Sequence, residues 1–263
     1  MRPKPKSNKQ ASVVAGFPEF WQRVHDAHPL FFKVAKNLEG LQNEVLQKPV
    51  SGEPSKILRH MLGTVSNSFG ALITLALNGY GNDAMKIARG MFEAELIASH
   101  LSKHPERVKD YVDFQALKDK RLLDYMKGFS PNLVAQIPQD RIAEIESESA
   151  SVQPRFRNGK TWTKTSRRQM AEEAGLIEAY LTFYSWASSM HHADVAGLSF
   201  QTDTALDVDM APSEQWIDIA LISGHGCLIR ILNCYNEAAH LGMDQDIQKA
   251  IEDFKTAWQV SNG

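Results

Sequence analysis

Cysteine is nearly absent from this chain, neither sign of charge dominates it, and no apolar run in it approaches the length of a membrane span. Its two cysteines, Cys227 and Cys234, lie seven residues apart on one expected helix. That is an axial rise of about 10.5 Å, too long for a disulfide within a helix. The thiols therefore read as buried apolar groups in a reducing, cytoplasmic compartment. With a net charge of −2 over 263 residues, the chain has no general attraction for polyanions, so a nucleic-acid contact needs a local patch. The most apolar run, FGALITLAL (Phe69 to Leu77), is far short of the roughly 20 residues that cross a bilayer. The basic stretch MRPKPKSNKQASVVAG lacks the apolar core of a secretory signal. These absences predict a cytoplasmic protein without a membrane partner. Also missing are GxxxxGK[ST], GxGxxG behind a strand, GxSxG, CxxC and HExxH. Most nucleotide-dependent, hydrolase and zinc-protease chemistries go with them, and neither a cofactor nor a resident metal is expected.

What remains is helical. Residues 1–16 carry four basic residues, two prolines and no acid, the composition of a disordered tail; residues 17–263 read as a single domain. From Pro18 to about Gln47 apolar residues recur at helical spacing, interrupted at His28-Pro29. Further helices are expected over about 55–77, 84–103, 105–127, 131–150, 166–174, 176–192, 212–241 and 244–258. AGLSFQTDTALDVDMAP, about 193–211, breaks the pattern and reads as one long, partly extended loop. The fold class is all-α, an antiparallel helical bundle.

Three polar constellations stand out. On NDAMKIARGMFEAELIASHLSKHPE, Arg89 and Glu93 are four apart and share a helix face, and His100 returns to nearly the same azimuth three turns on. Exposed, the Arg–Glu pair means little; buried, it marks a polar site. On FYSWASSMHHADVAG, Tyr184, Ser188 and His192 fall on one stripe, while His191 points about 100° away. The stripe is suited to a proton relay or an anion cradle, and equally to a helix end where histidine bonds free carbonyls. Adjacent histidines on a helix diverge, which makes a metal at His191, His192 and Asp194 the weaker alternative. Third, RFRNGKTWTKTSRR offers Arg155, Arg157, Lys160, Lys164, Arg167 and Arg168 with Phe156 and Trp162 interleaved. Basic groups contact phosphate and an exposed indole stacks on a base, so this is the candidate nucleic-acid patch; a solvated loop balancing the acidic segment before it reads equally well.

The segment DAMKIARGMFEAELIASHLSKHPERVKDYVDF resembles the signature helix, Pro-Glu turn and Tyr-bearing helix of a bacterial helical domain-of-unknown-function family (number fifty-six seventy-seven). YLTFYSWASSMHHADVAG resembles its second signature, a Tyr…Ser-x-x-x-His helix end. The resemblance places Arg89, Glu93, Tyr111, Ser188 and His192 at the family's polar positions, with Gly90 where Ser or Thr is common. Arg plus His in an all-α bundle also looks like the HEPN ribonucleases of toxin and phage-defence systems. That likeness implies metal-independent RNA cleavage near a dimer interface, with Arg89 on phosphate, His192 as acid or base, Glu93 orienting Arg89, and Ser188 holding the imidazole. The usual HEPN spacing, Arg and then His after four to six residues, occurs here in RVHDAH (Arg23 to His28). The competing expectation is a non-catalytic interaction or regulatory protein, with a partner protein or second copy, in which the same cluster fixes helix register.

Overall fold

Two prolines and one asparagine set the path of the chain's first helices. In the computed structural model, which describes residues 17–156, 160–192 and 214–261, α1 (Pro18–Ala27) and α2 (Pro29–Gln47) are separated at His28, and Pro29 opens the second helix. The residue before a proline is driven out of the helical region, and His28 sits there at φ −129°, ψ 43°. After Gly52 comes α3 (Glu53–Leu77), closed by Asn78. The Asn78 Oδ1 accepts from the Phe17 backbone N–H at 3.1 Å and from the Trp21 indole N–H at 2.9 Å, pinning α1 to the end of α3.

Gly79 turns the chain at φ 76°, and α4 (Gly81–Lys103) follows. A Cβ on Gly81 would lie 1.9 Å from the Gln215 carbonyl oxygen, so only glycine allows this approach. Beyond a short turn at Pro105–Arg107 come α5 (Val108–Phe129), α6 (Pro131–Val134) and α7 (Gln139–Val152). The next helix, α8 (Arg167–Ala174), starts with a reciprocal cap between Ser166 and Gln169 and ends at left-handed Gly175. Then α9 (Ile177–Ala179) widens into a π turn at Tyr180–Tyr184 before α10 (Ser185–His192). Last are α11 (Ile217–Ala239) and α12 (Asp244–Ser261).

The centre of the bundle is α3, α4 and α11, each packed on the other two. Leu62, Leu72, Met85, Leu96, Leu228 and Tyr235 meet there without solvent exposure. On one side α12 lies on α2; on the other α8 and α10 lie on α4, and α5 pairs with α7. Among the described residues there is no strand, and the fold is all-α. By length and composition α3 and α11 would suffice to cross a bilayer, although no uninterrupted apolar run in the sequence does. Both belong to the central layer, where α11 has 61% of its apolar window buried and α3 33%.

The helix boundaries follow the sequence pattern closely, with three differences. The single helix expected over 131–150 is broken into α6 and α7, the second starting at Gln139 behind Pro138. The segment expected as one regular helix over 176–192 contains the π turn, and the last long helix begins at Ile217, after Trp216 in the left-handed region at φ 70°. The expected tail (1–16) and extended loop (about 193–211) lie outside the described residues.

Candidate functional site

Helices α4 and α10 cross with their two motif residues facing one another. Arg89 Nε donates to the Ser188 hydroxyl at 2.9 Å. Arg89 Nη2 donates to Glu93 Oε1 at 3.2 Å and to the Tyr184 hydroxyl oxygen at 3.3 Å. Tyr184 in turn donates to Glu93 Oε1 at 2.6 Å. The guanidinium carbon lies 5.1 Å from the Tyr184 ring centroid, adding a cation–π contact. Four residues from two distant stretches thus form one network.

Its surroundings are half apolar. Tyr184 stacks on Tyr180 at 5.0 Å and packs against Phe92 at 5.8 Å. The Arg89 side chain is 14% exposed and that of Glu93 33%, so the pair is neither a solvated surface bridge nor a fully buried one. Burial, then the Glu93 carboxylate, hold the Tyr184 phenol above its usual pKa of 10.0. Arg89 is thereby committed through Nε and Nη2, and among the described residues no hydrogen bond engages its Nη1. An apolar cleft of about 420 Å³ opens nearby, lined by Phe92, Phe183, Trp186, Ile222, Cys227 and Arg230 among others.

The histidines stand differently. His191 and His192 are exposed on the last turn of α10, with ring centroids 5.1 Å apart and planes at 85°. Their divergence follows from the 100° step between neighbouring helical residues. Ser188 precedes His192 by one turn, as the stripe requires, but among the described residues the bonds of the network stop at Ser188. Asp194, the third member of the metal alternative, lies outside the described residues.

Tyr111 stands apart from the network. It lies on α5 with its ring edge-on to Trp162 at 5.2 Å. Trp162 and Phe156, expected as exposed stacking surfaces, are only 8% and 6% exposed and belong to the core. The loop folds back because its aromatics have apolar partners: His100 and Tyr111 for Trp162, Phe114 for Phe156. Several cations around them are neutralised. Arg155 pairs with Asp110 and Asp113, and Arg168 pairs with Glu172 at 3.2 Å. Burial alone would raise the Asp113 pKa, but Lys109 and Arg155 hold it below the usual carboxylate value. Arg167 bends onto the Met170 sulfur at 3.4 Å. Lys160 and Lys164 stay exposed; Arg157 lies outside the described residues. Among its described residues the stretch is thus partly neutralised, with both aromatics buried and Lys160 and Lys164 facing solvent.

One polar pair escaped the sequence reading. Glu95, fully buried on α4, is held by Arg230 of α11. Partners 135 residues apart carry no spacing signal.

Against known proteins, a model of a family of unknown function, DUF5677, matches residues 55–207, from α3 through both network helices. No curated protein and no solved structure matches the chain.

Proposed function

We propose, from the premise that this chain belongs to the DUF5677 family of unknown function, that it is a HEPN-like, metal-independent ribonuclease. It acts in the cytoplasm as a toxin of bacterial stress or phage defence, with RNA as substrate and a second copy of the chain as partner. The observation that carries the reading is the Arg89–Ser188 hydrogen bond of 2.9 Å, which joins the two sequence motifs. It holds a guanidinium whose Nη1 donors are unengaged among the described residues against a helix that presents His192 one turn beyond Ser188. The π turn at Tyr180–Tyr184 sets the register of that helix, and such turns are frequent at functional sites.

In this reading Arg89 Nη1 donates to the phosphate oxygens, and Glu93 with Tyr184 fixes the plane of the guanidinium. His192 takes the proton from a ribose 2′-hydroxyl as that oxygen attacks phosphorus. The imidazolium returns the proton to the departing 5′ oxygen, leaving a cyclic phosphate.

A second reading has its own observation. Glu93, Tyr184, Ser188 and three of the five Arg89 N–H groups satisfy one another, as a register-fixing network in a non-catalytic interaction protein does.

Cleavage of a labelled RNA in the presence of EDTA, with growth arrest on expression, separates the two. The nuclease reading expects Arg89→Ala and His192→Ala to lose about 100-fold or more in rate, with His192→Ala melting as the parent does. If the parent cuts no RNA and Arg89→Ala only lowers the melting temperature, the register network is the correct reading.

A further inference from the structure

The geometry points to a divalent transition-metal site at the far end of α4, built by His100, His104 and Glu173. HLSKH places two histidines four residues apart, the spacing at which helical ligands share a face. His100 Nδ1 lies 2.9 Å from Glu173 Oε2, and His104 Nε2 lies 3.7 Å from the same oxygen. The three donor atoms all fall within 4.8 Å of one another. Ligands at tetrahedral angles around zinc, each about 2.0–2.2 Å from it, are themselves about 3.3 Å apart. The two donor separations to Glu173 Oε2, 2.9 and 3.7 Å, lie on either side of that value.

Two further features favour a cation over a simple ion pair. His100 is 4% exposed and its ring packs edge-on to Trp162 at 5.8 Å between centroids. That packing leaves Nδ1 as the nitrogen aimed at Glu173, so the ring is already held in the orientation a ligand on Nδ1 needs. His104, for its part, has Glu106 Oε1 3.6 Å from Nδ1, on the ring side opposite Glu173. At that distance Glu106 adds negative charge beside the site, which favours a cation, without hydrogen-bonding the ring.

Two histidines and one carboxylate suit Zn²⁺, Co²⁺ or Ni²⁺ and discriminate against Mg²⁺ and Ca²⁺, which prefer oxygen. His104 and Glu173 are half-exposed, leaving water to complete the shell. Lys103, the charge that opposes a cation here, donates to the Glu173 backbone carbonyl, so its ammonium is held on the main chain. The bound ion would clamp α8 to the end of α4. Ribonuclease activity in EDTA tests the Arg89 network and is indifferent to this site.

The test uses the full-length, metal-stripped protein titrated with Zn²⁺ by calorimetry and with Co²⁺ by visible absorption. One equivalent is expected to bind, with ligand-field bands for Co²⁺ and a raised melting temperature. Glu173→Gln and His104→Ala, both at the surface, should each weaken binding at least about tenfold while keeping the helical circular-dichroism signal. The double variant His191→Ala/His192→Ala should bind as the parent does. No stoichiometric uptake, unchanged affinity in Glu173→Gln and His104→Ala, or loss of uptake in the His191/His192 variant would each overturn the site.

Discussion

Arg230 of α11 closes on the carboxylate of Glu95 on α4, contacting both oxygens: Nε donates to Oε1, and Nη2 donates to Oε2 at 3.4 Å. The Glu95 side chain has no solvent exposure, whereas that of Arg230 is 43% exposed. The carboxylate is therefore the partner that cannot stand alone. Around the pair the chemistry is otherwise apolar: burial first, then Glu95, push the Cys227 thiol well above its ordinary pKa.

Arg230→Ala should destabilise the protein by about 3–5 kcal/mol, the cost of leaving a buried charge uncompensated. The double variant Glu95→Met/Arg230→Met should recover most of that loss, because apolar packing replaces a buried pair at little net cost. Urea denaturation of the parent and both variants checks this. A double variant less stable than Arg230→Ala would show that the pair contributes more than mutual neutralisation.

Tyr184 gives a different kind of test, because its hydroxyl joins two charged partners. Tyr184→Phe removes one donor to Glu93 and one acceptor for Arg89, at about 1–2 kcal/mol. Its folded pKa lies above 10.0, so the stability it contributes is complete below pH 10 and is lost as pH rises through the folded value. The stability difference between parent and Tyr184→Phe should therefore shrink above pH 10. Denaturant titrations at pH 8, 10 and 11 read this, and a constant difference would contradict the network as described.

The division between what sequence shows and what it withholds follows from which interactions are local. Breaks were legible because they act within a turn: the His28-Pro29 interruption and the helix ends expected at about 77 and 174 fall where the structure has them. The Tyr184–Ser188 stripe was legible for the same reason. That Ser188 meets Arg89 depends on the packing of α10 on α4, and the motif resemblance suggested it where spacing alone did not. Trp162 misled in the other direction. A polar, basic stretch reads as solvated, but one indole finds His100 and Tyr111 and carries the loop inward. The π turn was invisible because it inserts one residue into an otherwise regular apolar pattern, displacing azimuths by about 100° without changing composition.

His225 supplies the prediction at acid pH. It is wholly buried on α11, edge-on to Phe69 at 4.8 Å and stacked on Phe254 at 6.1 Å. Its Nδ1 lies 2.7 Å from the Leu221 carbonyl oxygen and its Nε2 3.0 Å from that of Phe31. A neutral imidazole can donate to only one of the two. Burial pushes the pKa down from 6.5 to about 4, against the pull of both carbonyls. Above pH 6.5 the ring is neutral in both folded and unfolded chains and contributes no pH dependence. Between 6.5 and 4 the unfolded chain takes up a proton that the folded chain refuses, so stability falls by about 1.4 kcal/mol per pH unit at most, roughly 3 kcal/mol in all. Below 4 both states hold the proton and this group adds no further loss. His225→Phe keeps the aromatic contacts, and removes both the titration and the one hydrogen bond that the neutral ring donates. It should be less stable than the parent at pH 7, and the gap should narrow as the pH falls toward 4.5. Urea midpoints for both proteins at pH 7.0, 5.5 and 4.5 measure the gap directly; if it is the same at all three, His225 does not stay neutral in the core.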